Sequence, residues 1–229
     1  MHLGNENPQA PIDDKNWRFV ESFSPEPEPC RLARERASEM KNLVVSPSTG
    51  STLQFIISLS GARNVVEVGT GTAGASFWIA SALKRDDQFT TIDGEGEHYK
   101  HAKEILEGFG QSPRVRTIHG KPLEVLPRLA DETYDIVVLS DIQDQISEVL
   151  EEAIRMVPIG GILILLNALG NLKVGDMTQR DLPTVNRRLA VQAAFKDNRL
   201  KCNLLTIGDG LLVMQVVERK HIAIESSTI

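Results

Sequence analysis

Val65-Val66-Glu67-Val68-Gly69-Thr70-Gly71-Thr72-Ala73-Gly74 is an apolar run of strand length that enters a glycine-rich loop and leaves it in a helical period carrying Phe77, Trp78 and Leu83. Glycines let the backbone turn sharply and come close to a ligand where a Cβ would collide. The alternation repeats downstream. Short apolar runs at 65–68, 89–92, 115–118, 136–139 and 162–166 predict strands, and 75–83, 98–109, 122–129 and 145–156 predict the intervening helices. Strands with no polar face belong to a parallel sheet covered by helices on both sides, which gathers ligands at its carboxyl ends. Further on, the runs 204–207 and 211–217 flank Gly208-Asp209-Gly210, the pattern of an antiparallel hairpin. Upstream, 31–41 and 48–60 predict two additional helices, with Ser46 or Ser48 as the cap of the second and Pro25-Glu26-Pro27-Glu28-Pro29 as a stiff spacer before the first. The expected organisation is a flexible segment 1–15, one α/β domain 16–219, and a tail 220–229.

At 229 residues, 41% hydrophobic and 24% charged, the chain has the composition of one globular α/β unit. Its 31 acidic and 25 basic residues leave a net charge of −6, which repels a phosphate backbone, so no nucleic-acid partner is expected. The first twelve residues lack a basic stretch followed by an apolar one, and the apolar run 162–166 is far too short to cross a bilayer. A cytoplasmic protein without a membrane partner is the expectation. The two cysteines, Cys30 and Cys202, match no zinc or redox spacing and read as free thiols.

The loop satisfies G-x-G-x-x-G, so a nicotinamide or flavin enzyme is one reading. Glu67, two places before the first glycine, points elsewhere. A carboxylate there opposes a pyrophosphate and suits the cationic ammonium and sulfonium of S-adenosylmethionine (SAM). Asp93 ends the second strand, where a carboxylate can accept both ribose hydroxyls. That contact serves NAD as well as SAM.

Several ordered pieces carry a family resemblance: Val44-Val45-Ser46-Pro47, Val66-Glu67-Val68-Gly69-Thr70-Gly71, Thr91-Ile92-Asp93, Gly120 through Leu123-Glu124-Val125-Leu126-Pro127, and Gly208-Asp209-Gly210-Leu211-Leu212. Over roughly residues 22–217 the chain resembles the catechol and caffeoyl-CoA type O-methyltransferases, especially their small bacterial members. The resemblance implies the class I methyltransferase fold, a Rossmann-like, mostly parallel seven-stranded sheet with a C-terminal antiparallel hairpin and extra N-terminal helices. It also implies SAM as cofactor, a small hydroxylated acceptor and a homodimer. By position, Val45 flanks the methionine part of SAM, Glu67 takes its amino group, and Gly69, Thr70 and Gly71 line the loop. Asp93 holds the ribose, with Gly94, Gly120 and Lys121 near the adenine. The serine that the family places eight residues after the acid is Ala75 here, and Ser76 is the neighbour that can replace it.

The pattern breaks at the acceptor. The family holds a divalent metal with an Asp ending the fourth strand and an Asp-Asn pair ending the fifth, and a Lys three residues after the first Asp helps to deprotonate the acceptor. Those positions are Ser140, Leu166-Asn167 and Gln143. Leucine cannot ligate and serine offers only a neutral oxygen, so no divalent metal is expected. Ser140 and Asn167 then border the acceptor, with Asp141 as candidate general base and Asp144 as N-cap of the helix 145–156. The leading expectation is a metal-free SAM-dependent O-methyltransferase. The alternatives are a SAM-binding protein that has lost catalysis and a NAD-dependent oxidoreductase. His98 and His101 read as a solvated helix face, His119 as a hydrogen-bonded residue bordering the adenine, Trp78 as core, and Arg187-Arg188 as exposed helix surface. The loop 169–183 is expected to shape the acceptor pocket.

Overall fold

The computed structural model describes residues 14–40, 44–108 and 114–219. Nearly all of the expected flexible start, 1–13, and the tail 220–229 lie outside the described residues. Three helices precede the sheet: α1 (Asp14–Phe23), α2 (Glu28–Met40) and α3 (Pro47–Ser60). The Pro-rich spacer is shorter than its sequence suggested, because Pro29 tolerates the first turn of a helix and α2 already includes it. Ser46 caps α3 by accepting from the Thr49 N–H, Pro47 opens it, and Gly61 closes it.

The sheet follows in chain order as β1 (Asn64–Val68), α4 (Gly74–Ala82), β2 (Gln88–Asp93), α5 (Gly96–Gly108), β3 (Val115–His119), α6 (Pro122–Val125), β4 (Ile136–Leu139), α7 (Ile146–Met156), β5 (Ile162–Leu165), α8 (Leu182–Lys196), β6 (Leu200–Leu205) and β7 (Leu211–Val216). The expected helix 122–129 divides into α6 and a 3-10 turn at Leu126–Arg128, since Pro127 cannot donate to a continuing α-helix. The strand order is β3-β2-β1-β4-β5-β7-β6, with β7 antiparallel to both β5 and β6. The expected seven-stranded sheet and its terminal hairpin are both present. The first hairpin strand begins earlier than the apolar run 204–207, at Leu200, because ladder bonds to β7 extend the strand through polar residues such as Asn203.

Successive residues of a strand face opposite sides of the sheet. Val66, Val68, Val137, Leu139, Leu163 and Leu165 join the core beneath α7 and α8. Val65, Ile136, Val138 and Ile164 join the core beneath α3 and α4. Glu67 shares the side of Val65, which directs its carboxylate under α4. The close packing of α3 on α4 needs Gly50, where a Cβ would stand 2.1 Å from Trp78 Nε1, and Trp78 is core as expected. The order in which successive strands are added reverses between the parallel neighbours β1 and β4, and the crevice at their carboxyl ends is where a doubly wound sheet receives its ligand.

Candidate functional site

A cavity of about 730 Å³ opens at this crevice, within the range of small-molecule sites of about 300–1,000 Å³. One end is lined by Asp93, Gly94, His98 and Lys121, the other by Asp141, Gln143, Asn167 and Asn171. A narrow groove lined by Val45, Thr70, Gly71, Ala75, Ser140 and Asp141 joins it along the glycine loop. Asp141 and Gly69 line both spaces.

The loop owes its shape to two close approaches. Gly69 has φ +86°, and a Cβ on it would meet the Asp141 backbone at 2.6 Å. No other residue allows β1 and β4 to end so near one another. Gly71 donates its N–H to Asp93 Oδ2 at 2.8 Å, while Glu95 donates to Oδ1 at 2.8 Å. These bonds orient the Asp93 carboxylate at the end of β2, and His98 Nδ1 lies 3.7 Å from it. His98 is therefore a cavity residue rather than part of a solvated face, because α5 starts directly above the end of β2. The side chain of His101 lies outside the described ones. His119 Nε2 donates to the Gly94 carbonyl at 3.2 Å, and its ring is tilted against that of Tyr99 with the centroids 5.5 Å apart. Gly120 stands behind the wall, its N–H on the Asp93 carbonyl at 2.9 Å and its missing Cβ leaving room for Val125.

Glu67 is 0% exposed. Its Oε2 accepts from the hydroxyls of Ser76 at 2.5 Å and Thr91 at 2.7 Å, and its Oε1 from Ser140 at 2.9 Å. Burial pushes its carboxyl up to about 7, against the pull of those three hydroxyls and with a further push from Asp93. The Ser76 hydroxyl, the candidate replacement for the serine missing at 75, is bonded to Glu67. One step along a helix rotates a side chain by about 100°, which turns Ser76 inward to Glu67 and leaves Ala75 on the groove. Ser140 shares the sheet side of Val138, lines the groove and connects it to the buried acid.

Around the Asp141 and Asn167 end of the cavity the structure departs from the sequence reading in three places. Asp144 is not the cap of α7: Gln145 holds that position at φ 53° with no side-chain bond, and Asp144 lines the cavity. Arg187 and Arg188 are buried at 6% and 7% exposure, not displayed on a helix surface. Arg187 donates to the carbonyls of Ile142, Leu166 and Asn167, and Arg188 to those of Val174 and Asp176. Loop carbonyls without ladder partners need donors, and the forked guanidinium supplies several at once. Asp209, read only as part of a turn, accepts the N–H groups of Asn171 and Leu172 and so shapes the expected acceptor loop. A carboxylate between two glycines was its signal.

The positions that the resemblance assigns to a divalent cation carry poor donors. The Ser140 hydroxyl is committed to Glu67, Leu166 belongs to the core, and only Asn167 faces the cavity. Hard cations take about six oxygen ligands, with carboxylates prominent among them, and these residues do not fit one. Among the described residues no group of three or more His, Cys, Asp or Glu side chains is placed to hold a metal. Nor is any described helix long and apolar enough to cross a membrane.

Comparison with known proteins places these features in a family. A family model described as O-methyltransferase matches residues 30–217. The chain is 35% identical over 198 residues to a "Probable O-methyltransferase" of Mycobacterium tuberculosis, covering 86% of this chain and 88% of the relative. A crystal structure of a Corynebacterium glutamicum protein superposes with a TM-score of 0.78 at 26% identity, covering 89% of this chain and 96% of that one. The O-methyltransferase TomG of Streptomyces achromogenes, solved in complex with SAM, superposes with a TM-score of 0.79 at 23% identity, covering 91% and 100%.

Proposed function

The chain belongs to the O-methyltransferase family, and from that premise we propose that it transfers the methyl group of SAM to a small hydroxylated acceptor without a divalent metal. The observation that carries this reading is the double placement of Asp141, which lines both the groove along the glycine loop and the larger cavity. The methionine end of a donor in the groove and an acceptor at the Asn167 end of the cavity would meet there.

SAM supplies an activated methyl on a positively charged sulfur. In our reading Asp93, already oriented by two backbone N–H groups, accepts the ribose hydroxyls, with Gly94, Gly120 and Lys121 around the adenine. Val45 packs against Gly74 and closes the groove over the methionine part, beside Gly69, Thr70 and Gly71. Glu67 acts on the ammonium through Ser140, because its own carboxylate has no exposed surface. The N-terminus of α4 has no side-chain cap, which leaves donors facing the groove for a carboxylate. Asn167 and Gln143 orient the acceptor. Asp141, held at Oδ1 by Gln143 at 2.6 Å, takes the proton of the acceptor hydroxyl as the methyl arrives. Support comes from the family, from the SAM-bound neighbour, and from the acidic lining of a crevice that would receive a cation.

The same reading carries a cytoplasmic homodimer, for which size-exclusion chromatography with light scattering is the direct measurement. The decisive experiment is calorimetric titration with S-adenosylhomocysteine in EDTA, with NAD in parallel. Saturable one-site binding of the first and silence with the second are expected. The reverse pattern would establish a dinucleotide enzyme and refute methyl transfer.

A further inference from the structure

With poor metal donors at the strand ends, a deeply placed cation still lies behind one end of the cavity, bonded to the carbonyls of two residues that line it. Arg187 extends from α8 beneath the ends of β4 and β5 and is 6% exposed. One guanidinium nitrogen donates to the carbonyls of Leu166 and Asn167, at 3.4 and 3.0 Å, and the other donates to the carbonyl of Ile142. The first pair closes β5, and Ile142 lies in the loop after β4 between Asp141 and Gln143. Two segments separated by more than twenty residues, both lining the cavity, are thus held by one planar fork. Gly170 completes the seat, since a Cβ on it would stand 3.2 Å from Arg187 Cδ.

The charge of this group matters as much as its hydrogen bonds. Burial lowers the Arg187 pKa, and the fields of Asp141 and Asp209 oppose that shift. A guanidinium starts so high that it remains charged. Its hydrogen-bond partners among the described residues are neutral carbonyl oxygens, so the positive field is not cancelled by direct ion pairing within that set. It reaches the carboxylates of Asp141 and Asp209, which line the cavity, and partly offsets their negative charge.

We propose that Arg187 is the fixed cation behind the acceptor site, tying the end of β5 to the loop after β4 and offsetting the negative charge of Asp141 and Asp209 in that corner. The proposal rests on the methyl-transfer reading for its purpose. It makes Arg187 a positioning residue, because other groups stand between it and the acceptor.

Hydrogen exchange of the full-length protein tests it, together with Mn²⁺ titration followed by electron paramagnetic resonance. In the native protein, exchange over 140–145 and 166–172 should be the same in EDTA and in millimolar Mg²⁺, and added Mn²⁺ should keep its free-ion signal. Arg187→Met should accelerate exchange in those two segments by about tenfold or more. Exchange in β1 and α4, and the affinity for S-adenosylhomocysteine, should change little. Arg187→Lys keeps the charge without the fork and should recover a substantial part of the lost protection. Exchange in Arg187→Met indistinguishable from native would overturn the proposal. So would stoichiometric Mn²⁺ binding that slows exchange in the same segments, or a lysine variant as open as the methionine one. Should Arg187→Met fail to fold, the lysine variant and the Mn²⁺ titration of native protein still decide. Failure of native protein to bind S-adenosylhomocysteine would refute the methyl-transfer reading instead, leaving the exchange result to stand by itself.

Discussion

Replacing Glu67 by Gln should stabilise the protein at neutral and alkaline pH and remove a specific pH dependence. The carboxyl is fully buried and displaced from 4.5 to about 7, which corresponds to about 3 kcal/mol of folding free energy. The direction follows from proton counting. Between about pH 4.5 and 7 the folded protein holds a proton on Glu67 that the unfolded chain has released, so stability contributed by this group is fully present below the lower value and is lost as pH rises through the upper one. Gln stays neutral throughout. Its amide keeps an acceptor for the hydroxyls of Ser76 or Thr91 and turns a donor toward one that can accept, so part of the gain returns as imperfect hydrogen bonding, about 1 kcal/mol. A net gain of about 2 kcal/mol at pH 8 corresponds to roughly 4–8 °C in Tm for a chain of this size. Urea unfolding of both proteins at intervals from pH 4.5 to 8.5 measures it. The two stability curves should cross: the variant is about 1 kcal/mol the less stable at the acid end and about 2 kcal/mol the more stable at pH 8. Curves that run parallel across the whole range would refute the reasoning, and with it the view that Glu67 is protonated when the groove is empty. A cationic ligand close to Ser140 should reverse the effect by favouring the carboxylate, so binding of SAM near pH 7 should release a proton, visible as a buffer-dependent calorimetric enthalpy.

Three further outcomes follow from the site. Asp93→Ala removes the carboxylate that Gly71 and Glu95 orient, and by the worth of charge-assisted bonds, about 1.5–3 kcal/mol, it should weaken S-adenosylhomocysteine binding roughly ten- to a hundredfold in calorimetry. Gly69→Ala places a Cβ 2.6 Å from the Asp141 backbone at φ +86°, so it should cost about 3 kcal/mol or more in urea unfolding and abolish binding; native-like stability would show that β1 and β4 can separate at little cost. Asp141→Asn keeps shape and removes basicity, and should lower methyl transfer about a hundredfold with cofactor affinity little changed; unchanged turnover would exclude Asp141 as the base.

Much of the nucleotide side was legible because its signals are local. A strand of Val65, Val66 and Val68, glycines at 69 and 71, and acids at 67 and 93 lie within thirty residues, and the chain folds them against each other through neighbouring parallel strands. The β-hairpin was legible for the same reason, through the glycines at 208 and 210. Reading β6 from its apolar run alone misplaced its start, since pairing with β7 rather than hydrophobicity set the edge.

The acceptor side depended on contacts between distant segments. Nothing near Arg187 in sequence announces that its guanidinium would find the carbonyls of residues 142, 166 and 167, and a pair of arginines on a helix ordinarily faces water. Ser76 looks like a groove residue by position, but helix rotation turns its hydroxyl toward Glu67, and strand parity gives Ser140 both a place on the groove and a bond to the same acid. By itself the sequence determined the sheet, its glycine crossover and the acids that accompany it, because periodicity and turn chemistry act over a few residues. Only the tertiary structure decided that Glu67 is a sealed acid displaced toward neutrality and that Arg187 lies buried behind the cavity, because burial and field depend on which distant segments the fold stacks above a side chain.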